Sequence, residues 1–174
     1  PPSLKAIITS CSTDDRYSDD MHYMGGCLLT DLMDWGTVFF GNFPRPPDPK
    51  IVGDRWRGMW EERLENMPLP IETWLNHQRR DDYWKPGSVC EDYSRIKCAV
   101  YACAGWLDGY SNTVARLLEN LDSPRLGLIG PWKHAFPHVG SPGPTFNWLR
   151  EAVRWWDHWL KEIDTGIMDL PMYR

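Results

Sequence analysis

The chain has 174 residues, 42% of them apolar, and a formal net charge of −5, which suits one ordinary domain with a core of normal size. The acidic balance, with no Lys/Arg cluster to offset it, excludes a nucleic-acid-binding surface, and the longest apolar run, Cys98 to Leu107, is too short to cross a bilayer. Eleven Trp and fifteen Pro point to aromatic-lined clefts and long ordered loops.

Five Cys, at positions 11, 27, 90, 98 and 103, contain no C-x-x-C pair and leave an odd total, so neither a disulfide framework nor a zinc ribbon is expected. Cys98 and Cys103 differ in strand parity and point to opposite faces, which argues against a shared metal. Reduced thiols and the lack of a visible signal peptide place the chain in the cytoplasm. Pro1 stands where an initiator Met would, and strand-like sequence follows almost at once, so the chain reads as a piece of something longer.

Lys5 to Ser10 (KAIITS) is a short β-branched run and predicts a buried strand over residues 5–10. From Asp14 to about Arg95 the sequence turns aromatic, Met-rich and Pro-punctuated, which predicts an insertion of short helices and loops. Within it, Asp48 to Leu64 predicts a helix with Pro49 in its first position, placing Val52, Trp56, Met59 and Trp60 on one face. Ile71 to Leu75 and Arg80 to Trp84 predict further short helices, and the Pro-rich runs at 44–47 and 67–70 predict turns or connectors.

A second strand is predicted over residues 98–104, opening into the turn Gly105-Trp106-Leu107-Asp108-Gly109. Ser111 to Leu121 follows as a helix with Ser111 as N-cap. A third strand, Leu126 to Ile129, opens into Gly130-Pro131-Trp132-Lys133-His134. Pro144 begins a long final helix whose apolar positions, from Phe146 through Leu149, Val153, Trp156 and Leu160 to Ile163, form a stripe that Trp148, Ala152, Trp155 and Trp159 widen, a face expected to be largely buried. Strands alternating with helices imply right-handed crossovers and a parallel sheet. Three parallel strands need cover on both faces and paired edges, so something further is expected on at least one side.

Two strands thus each deliver one titratable residue past their C-terminal ends, the edge where open α/β sheets do chemistry. Asp108 precedes His134 by one strand-helix-strand unit. A carboxylate that fixes an imidazole's tautomer makes the base half of a nucleophilic relay. In the order nucleophile, acid, histidine, the nucleophile belongs upstream of Asp108. No G-x-S-x-G occurs; Gly109 to Thr113 imitates it, but the tight elbow needs a small residue where Thr113 stands, and Ser111 reads as a helix cap. Ser10 and Ser12 follow a strand without a helix behind them. Cys11 and Cys103 have no adjacent basic group and read as buried structural thiols. A metal site from His134, His138 and Asp108 is disfavoured by Pro137, which breaks the shared helix face, so no metal and no cofactor are expected. His22, His77 and His158 read as packed or solvent-facing, and Arg79 to Asp82 as a solvated helix start. The aromatic cluster Trp56, Trp60, Trp74, Tyr83 and Trp84 reads equally as an acyl pocket or as the insertion's own core.

The segments GWLDGYSN, GLIGPWKH and RWWDHWLKEIDTGIMDLPM resemble the catalytic domain of the X-Pro dipeptidyl-peptidase and cocaine-esterase-like family of serine α/β-hydrolases, and DDRYSDDMHYMGG and HQRRDDYWKPGSV resemble its helical cap. The resemblance implies an α/β class and a partial α/β-hydrolase fold, with residues 1–13 and 96–174 in the core and 14–95 in a helical cap over the acyl pocket. It implies Asp108 as triad acid and His134 as triad base, and Trp106, Trp132 and Trp84 are the expected substrate-binding residues. The implied partner is a small-molecule ester or peptide, with X-Pro dipeptidyl bonds among those cleaved through an acyl-enzyme. The family's nucleophilic elbow and oxyanion tyrosine lie upstream of residues 5–10, and its C-terminal jelly-roll domain follows the segment ending at Arg174, so these parts are expected to be missing. Loss of the nucleophile costs on the order of 10⁶ in kcat in a serine protease, so the chain is expected to be inactive alone. The alternative is a degenerate hydrolase that serves as a non-catalytic interaction domain.

Overall fold

The KAIITS run forms β1 (Ala6–Ser10) in the computed structural model, which describes residues 3–20 and 22–174. A small hairpin follows, β2 (Tyr23–Met24) and β3 (Cys27–Leu28), turned by Gly25 and Gly26 at φ 58° and 81°, the positive values that a type I′ turn takes at both positions.

Four helices come next: α1 (Asp31–Asn42), α2 (Pro49–Val52), α3 (Trp56–Glu65) and α4 (Pro70–Asn76). Asp48 caps α2 as the sequence suggests, its side chain accepting the Lys50 N–H at 2.8 Å. The single helix predicted from Asp48 to Leu64 is instead two, because Gly53 adopts φ 62° and a short 3₁₀ turn intervenes. Arg80 to Trp84 is not helical. Asp81 there accepts the Tyr83 N–H at 3.0 Å and pairs with His77 at 2.7 Å, a local side-chain bond that outcompetes the helix. The insertion has its own core of Tyr23, Leu32, Trp74 and Trp84, flanked by Trp35 and Phe39.

The chain then returns to the sheet. The strand β4 (Ala99–Gly105) is buried along its whole length, as a central parallel strand must be, and pairs with β1 on one side and β5 (Arg125–Gly130) on the other. Between them α5 (Ser111–Asn120) sets Val114, Leu117 and Leu118 against Val100, Ala102 and Ala104. On the opposite face α6 (Trp148–Lys161) sets Trp148 and Trp155 against Tyr101, Cys103, Leu126 and Leu128. Two layers of helix therefore enclose a sheet of order β1-β4-β5. The C-terminal tail runs along the outer edge of β5, where the Gly127 N–H donates to Met172 O at 2.7 Å and the Ile129 N–H to Arg174 O at 2.8 Å. The outer edge of β1 has no partner strand among the described residues.

Two helix expectations change. The final helix begins at Trp148, capped by Asn147, rather than at Pro144. Its buried face is Trp148, Glu151 and Trp155, while Leu149, Val153 and Leu160 are 60%, 56% and 58% exposed. The cause is polar: the buried Glu151 carboxylate accepts from the Tyr101 hydroxyl and from the Arg174 guanidinium, which turns that side of the helix inward. Burial, and then the Glu151 carboxylate, push the Tyr101 phenol well above its usual range. No helix among the described residues is long and apolar enough to cross a membrane.

Candidate active site

Parallel β4 and β5 end side by side, Gly105 opposite Gly130, and the turns that follow are laced together. The Trp106 N–H donates to Gly130 O at 2.8 Å and the Leu107 N–H to Trp132 O at 3.0 Å. Gly105 makes this approach possible, since a Cβ there would lie 1.9 Å from the Trp132 carbonyl oxygen. Beneath the second turn, the Trp132 indole wedges between Gly130 and Gly140 and donates to Pro144 O at 2.8 Å, which anchors the loop carrying His134.

This lacing brings Asp108 Oδ1 to 3.2 Å from His134 Nδ1. The same oxygen accepts the Tyr110 N–H at 3.2 Å, so Asp108 closes its own turn and holds the imidazole at once. The two partners differ in exposure: the Asp108 side chain is 2% exposed and that of His134 59%. Asp108 Oδ2 is buried without a hydrogen-bond donor. The Ser111 hydroxyl makes no cap, because Tyr110 occupies the N-cap position and Ser111 the first turn.

A cavity of about 260 Å³ opens beside the pair, walled by Trp35, Leu107, Gly109 and Tyr110 as well as Asp108 and His134. Tyr110 and Trp35 also wall a second space of about 170 Å³ that extends toward Phe39 and Trp74. The Tyr110 ring lies 5.6 Å from that of His134, and its hydroxyl donates to Asp20 Oδ1 at 2.9 Å, tying the insertion to the turn after β4. Burial, followed by the Asp20 charge, raises the Tyr110 phenol. Asp20 is paired in turn with Arg16 at 2.7 Å.

Of the three tryptophans expected to bind substrate, Trp106 is 61% exposed in the turn before Asp108, whereas Trp132 and Trp84 are each 3% exposed. Trp132 is the loop wedge already described, and Trp84 packs in the insertion's core with its indole N–H on His77 O at 2.9 Å. None of the three walls the cavity beside Asp108. The aromatic residue that does so from the insertion is Trp35, whose place in α1 gave no sequence signal.

Cys11, read from the sequence as a buried structural thiol, stands beside the pair. It follows β1 directly, at φ 50°, with its N–H on Cys103 O at 2.9 Å, and its Sγ, a carboxylate oxygen of Asp108 and a ring nitrogen of His134 all lie within 4.8 Å of one another. Three ligand-type side chains therefore converge, and the third is Cys11 rather than His138. Burial first, and then the neighbouring Asp108, push the thiol up to about 12, the reverse of what activates a cysteine nucleophile. The nearby signal was the rule already applied to Asp108 and His134, a polar residue just past the C-terminal end of a parallel strand. Among the described residues no serine hydroxyl is hydrogen-bonded to His134; Ser12 bonds to Thr9, and Ser10 Oγ faces Cys11 Sγ at 3.7 Å.

Residues 1–136 match the X-Pro dipeptidyl-peptidase (S15) family. The chain is 32% identical over 132 residues to a Mycobacterium bovis protein named as a serine esterase, covering 71% of this chain and 20% of that protein. It is 30% identical over 94 residues to a Bacillus anthracis protein named as an Xaa-Pro dipeptidyl-peptidase, covering 53% of this chain and 15% of that one. In structure it is similar to a CocE/NonD family hydrolase from Staphylococcus aureus, with a TM-score of 0.71 and 21% identity over 99% of this chain and 27% of that chain. It is similar also to an aminopeptidase from a marine sediment Thaumarchaeota archaeon, with a TM-score of 0.58 and 17% identity over 99% of this chain and 33% of that one. The fold is thus a partial α/β-hydrolase fold, and the chain spans about a fifth of the length of the first curated relatives it matches.

Proposed function

The chain belongs to the X-Pro dipeptidyl-peptidase (S15) family, and from that premise we propose that it supplies the acid and base of a serine hydrolase that cleaves ester or amide bonds through an acyl-enzyme. The observation that carries this reading is the Asp108–His134 pair at 3.2 Å, held at the ends of adjacent parallel strands. Asp108 keeps the proton on Nδ1 and stabilises the imidazolium; Nε2 takes the proton of a serine hydroxyl as it attacks the acyl carbon, then returns it to the leaving group. The serine comes from a strand-helix elbow on a part of the hydrolase core that adjoins the open edge of β1. Residues 1–13 and 96–174 are the core and 14–95 the cap, with Trp35 and Tyr110 shaping the acyl pocket. Small esters and peptides are the substrates, X-Pro dipeptides among them.

On this reading the 174-residue chain is inactive by itself. A fluorophosphonate probe labels a serine in a protein that joins this chain to its upstream core, and does so only while His134 is present; it labels none in the chain alone. Labelling of Ser111 in the chain alone would overturn the assignment, and an upstream core without a reactive serine would leave the non-catalytic interaction domain.

A further inference from the structure

We propose that Cys11, Asp108 and His134 form a binding site for one zinc ion, with a thiolate, a carboxylate and an imidazole as its protein ligands. The three residues stand just beyond the C-terminal ends of three neighbouring parallel strands, β1, β4 and β5, so the sheet itself fixes their spacing. Their ligand atoms already lie within 4.8 Å of one another. Bonds of about 2.0–2.3 Å in a tetrahedral site put ligand atoms about 3.3–3.6 Å apart, so modest side-chain rotations close the gap.

Asp108 supplies a second observation. Among the described residues its Oδ2 is buried with no hydrogen-bond partner of normal geometry, while its Oδ1 already holds His134. The donor set selects the metal. Thiolate and imidazole suit a borderline-soft ion and exclude magnesium and calcium, which require oxygen ligands. Thiolate and carboxylate together balance a divalent charge. His134 is 59% exposed, which leaves an entry path and a fourth position for water.

Binding displaces the Cys11 thiol proton to solvent as the Zn–S bond forms, and His134 ligates as the neutral imidazole through one ring nitrogen with its proton on the other. Without metal, Cys11 is held as a neutral thiol; a divalent ion inverts that local preference. Metal binding needs no nucleophile and stands apart from the hydrolase reading. One consequence does rest on that reading: an imidazole committed to zinc cannot accept a serine proton, so the metal-bound enzyme is the inhibited one.

The test is titration of the tag-free 174-residue chain with cobalt(II) as the zinc probe. The expected result is one cobalt per chain, tetrahedral ligand-field bands, and a near-ultraviolet thiolate-to-cobalt charge-transfer band that zinc abolishes. Cys11→Ser removes the charge-transfer band, and Asp108→Asn and His134→Ala each weaken binding at least about tenfold. Cys27→Ser and Cys90→Ser leave binding unchanged. Zinc-edge X-ray absorption on the unmutated chain, which depends on no variant's folding, shows one sulfur among the ligands. Absence of a saturating complex, persistence of the band in Cys11→Ser, its loss in Cys27→Ser, or a sulfur-free zinc shell overturns the proposal.

Discussion

Gly105→Ala tests how the candidate site is assembled. The added methyl group would lie 1.9 Å from the Trp132 carbonyl oxygen, 2.5 Å from its carbonyl carbon and 3.0 Å from the Lys133 carbonyl oxygen. All three are backbone atoms, so no side chain can swing aside and the two laced turns must separate. Overpacking of this kind costs about 1–3 kcal/mol. Separation also weakens the bonds from the Trp106 N–H to Gly130 O (2.8 Å) and from the Leu107 N–H to Trp132 O (3.0 Å). Each is worth about 0.5–1.5 kcal/mol, so losing both brings the expected loss to about 2–6 kcal/mol. For a chain of this length that lowers Tm by about 4–24 °C. Urea unfolding followed by tryptophan fluorescence measures the loss. Gly58→Ala in α3 is the control: nothing lies within 4 Å of its added methyl group, and a helical Gly→Ala exchange there gains about 0.5–1 kcal/mol. If both variants shift the midpoint equally, the close approach of the two turns does not hold the site together.

Arg116 clamps two acidic residues of the segment after β1 onto α5, donating to Asp14 at 3.0 Å and Asp19 at 2.6 Å. Arg116→Met leaves the Asp14 carboxylate, 1% exposed, with the Tyr93 hydroxyl but no cation, and removing one partner of a buried pair is costly. With Arg116 itself 31% exposed, the expected loss is about 2–3 kcal/mol by urea unfolding, and a change below about 0.5 kcal/mol refutes the clamp. Cysteine alkylation tests burial at the sheet. Burial raises Cys103 to about 11, so at pH 8 its thiolate fraction is about 10⁻³ and grows as pH rises toward that value, while Cys27 is exposed. Mass spectrometry of the metal-free chain should find Cys27 alkylated first, and comparable rates at the two positions contradict the fold.

The three parallel strands were legible because short apolar runs bounded by turn residues have few alternatives, and the turns after β4 and β5 carry their polar residues in the sequence itself, whereas the β2–β3 hairpin fell in a stretch read as helices and loops. What failed depended on partners far along the chain. The buried side of α6 is set by Glu151, which Tyr101 and Arg174 satisfy; an apolar count along the helix includes the buried Trp148 and Trp155 but also Leu149, Val153 and Leu160, which are exposed. The helix break at Gly53 is a backbone choice that apolar spacing does not encode. Trp132 and Trp84 illustrate a different limit: an indole that wedges a loop or fills a core has the same sequence signature as one that binds a substrate. Cys11 needed the strand order. Only when β1 is placed beside β4 does a thiol nearly a hundred residues upstream reach Asp108 and His134.

That strand order also ties the open features of the molecule together. The acid is buried and doubly bonded, whereas the base is more than half exposed, so the pair is fixed from one side only. The edge of β1, unpaired among the described residues, and the exposed Leu149, Val153 and Leu160 of α6, a helix that packs on β1, are further uncovered surfaces. A parallel strand added to β1 would end at the same edge as Cys11, Asp108 and His134, and a helix following it would cover a face of the sheet. Under the proposed hydrolase reading, one addition then pairs the edge, shields apolar surface and brings a hydroxyl to His134.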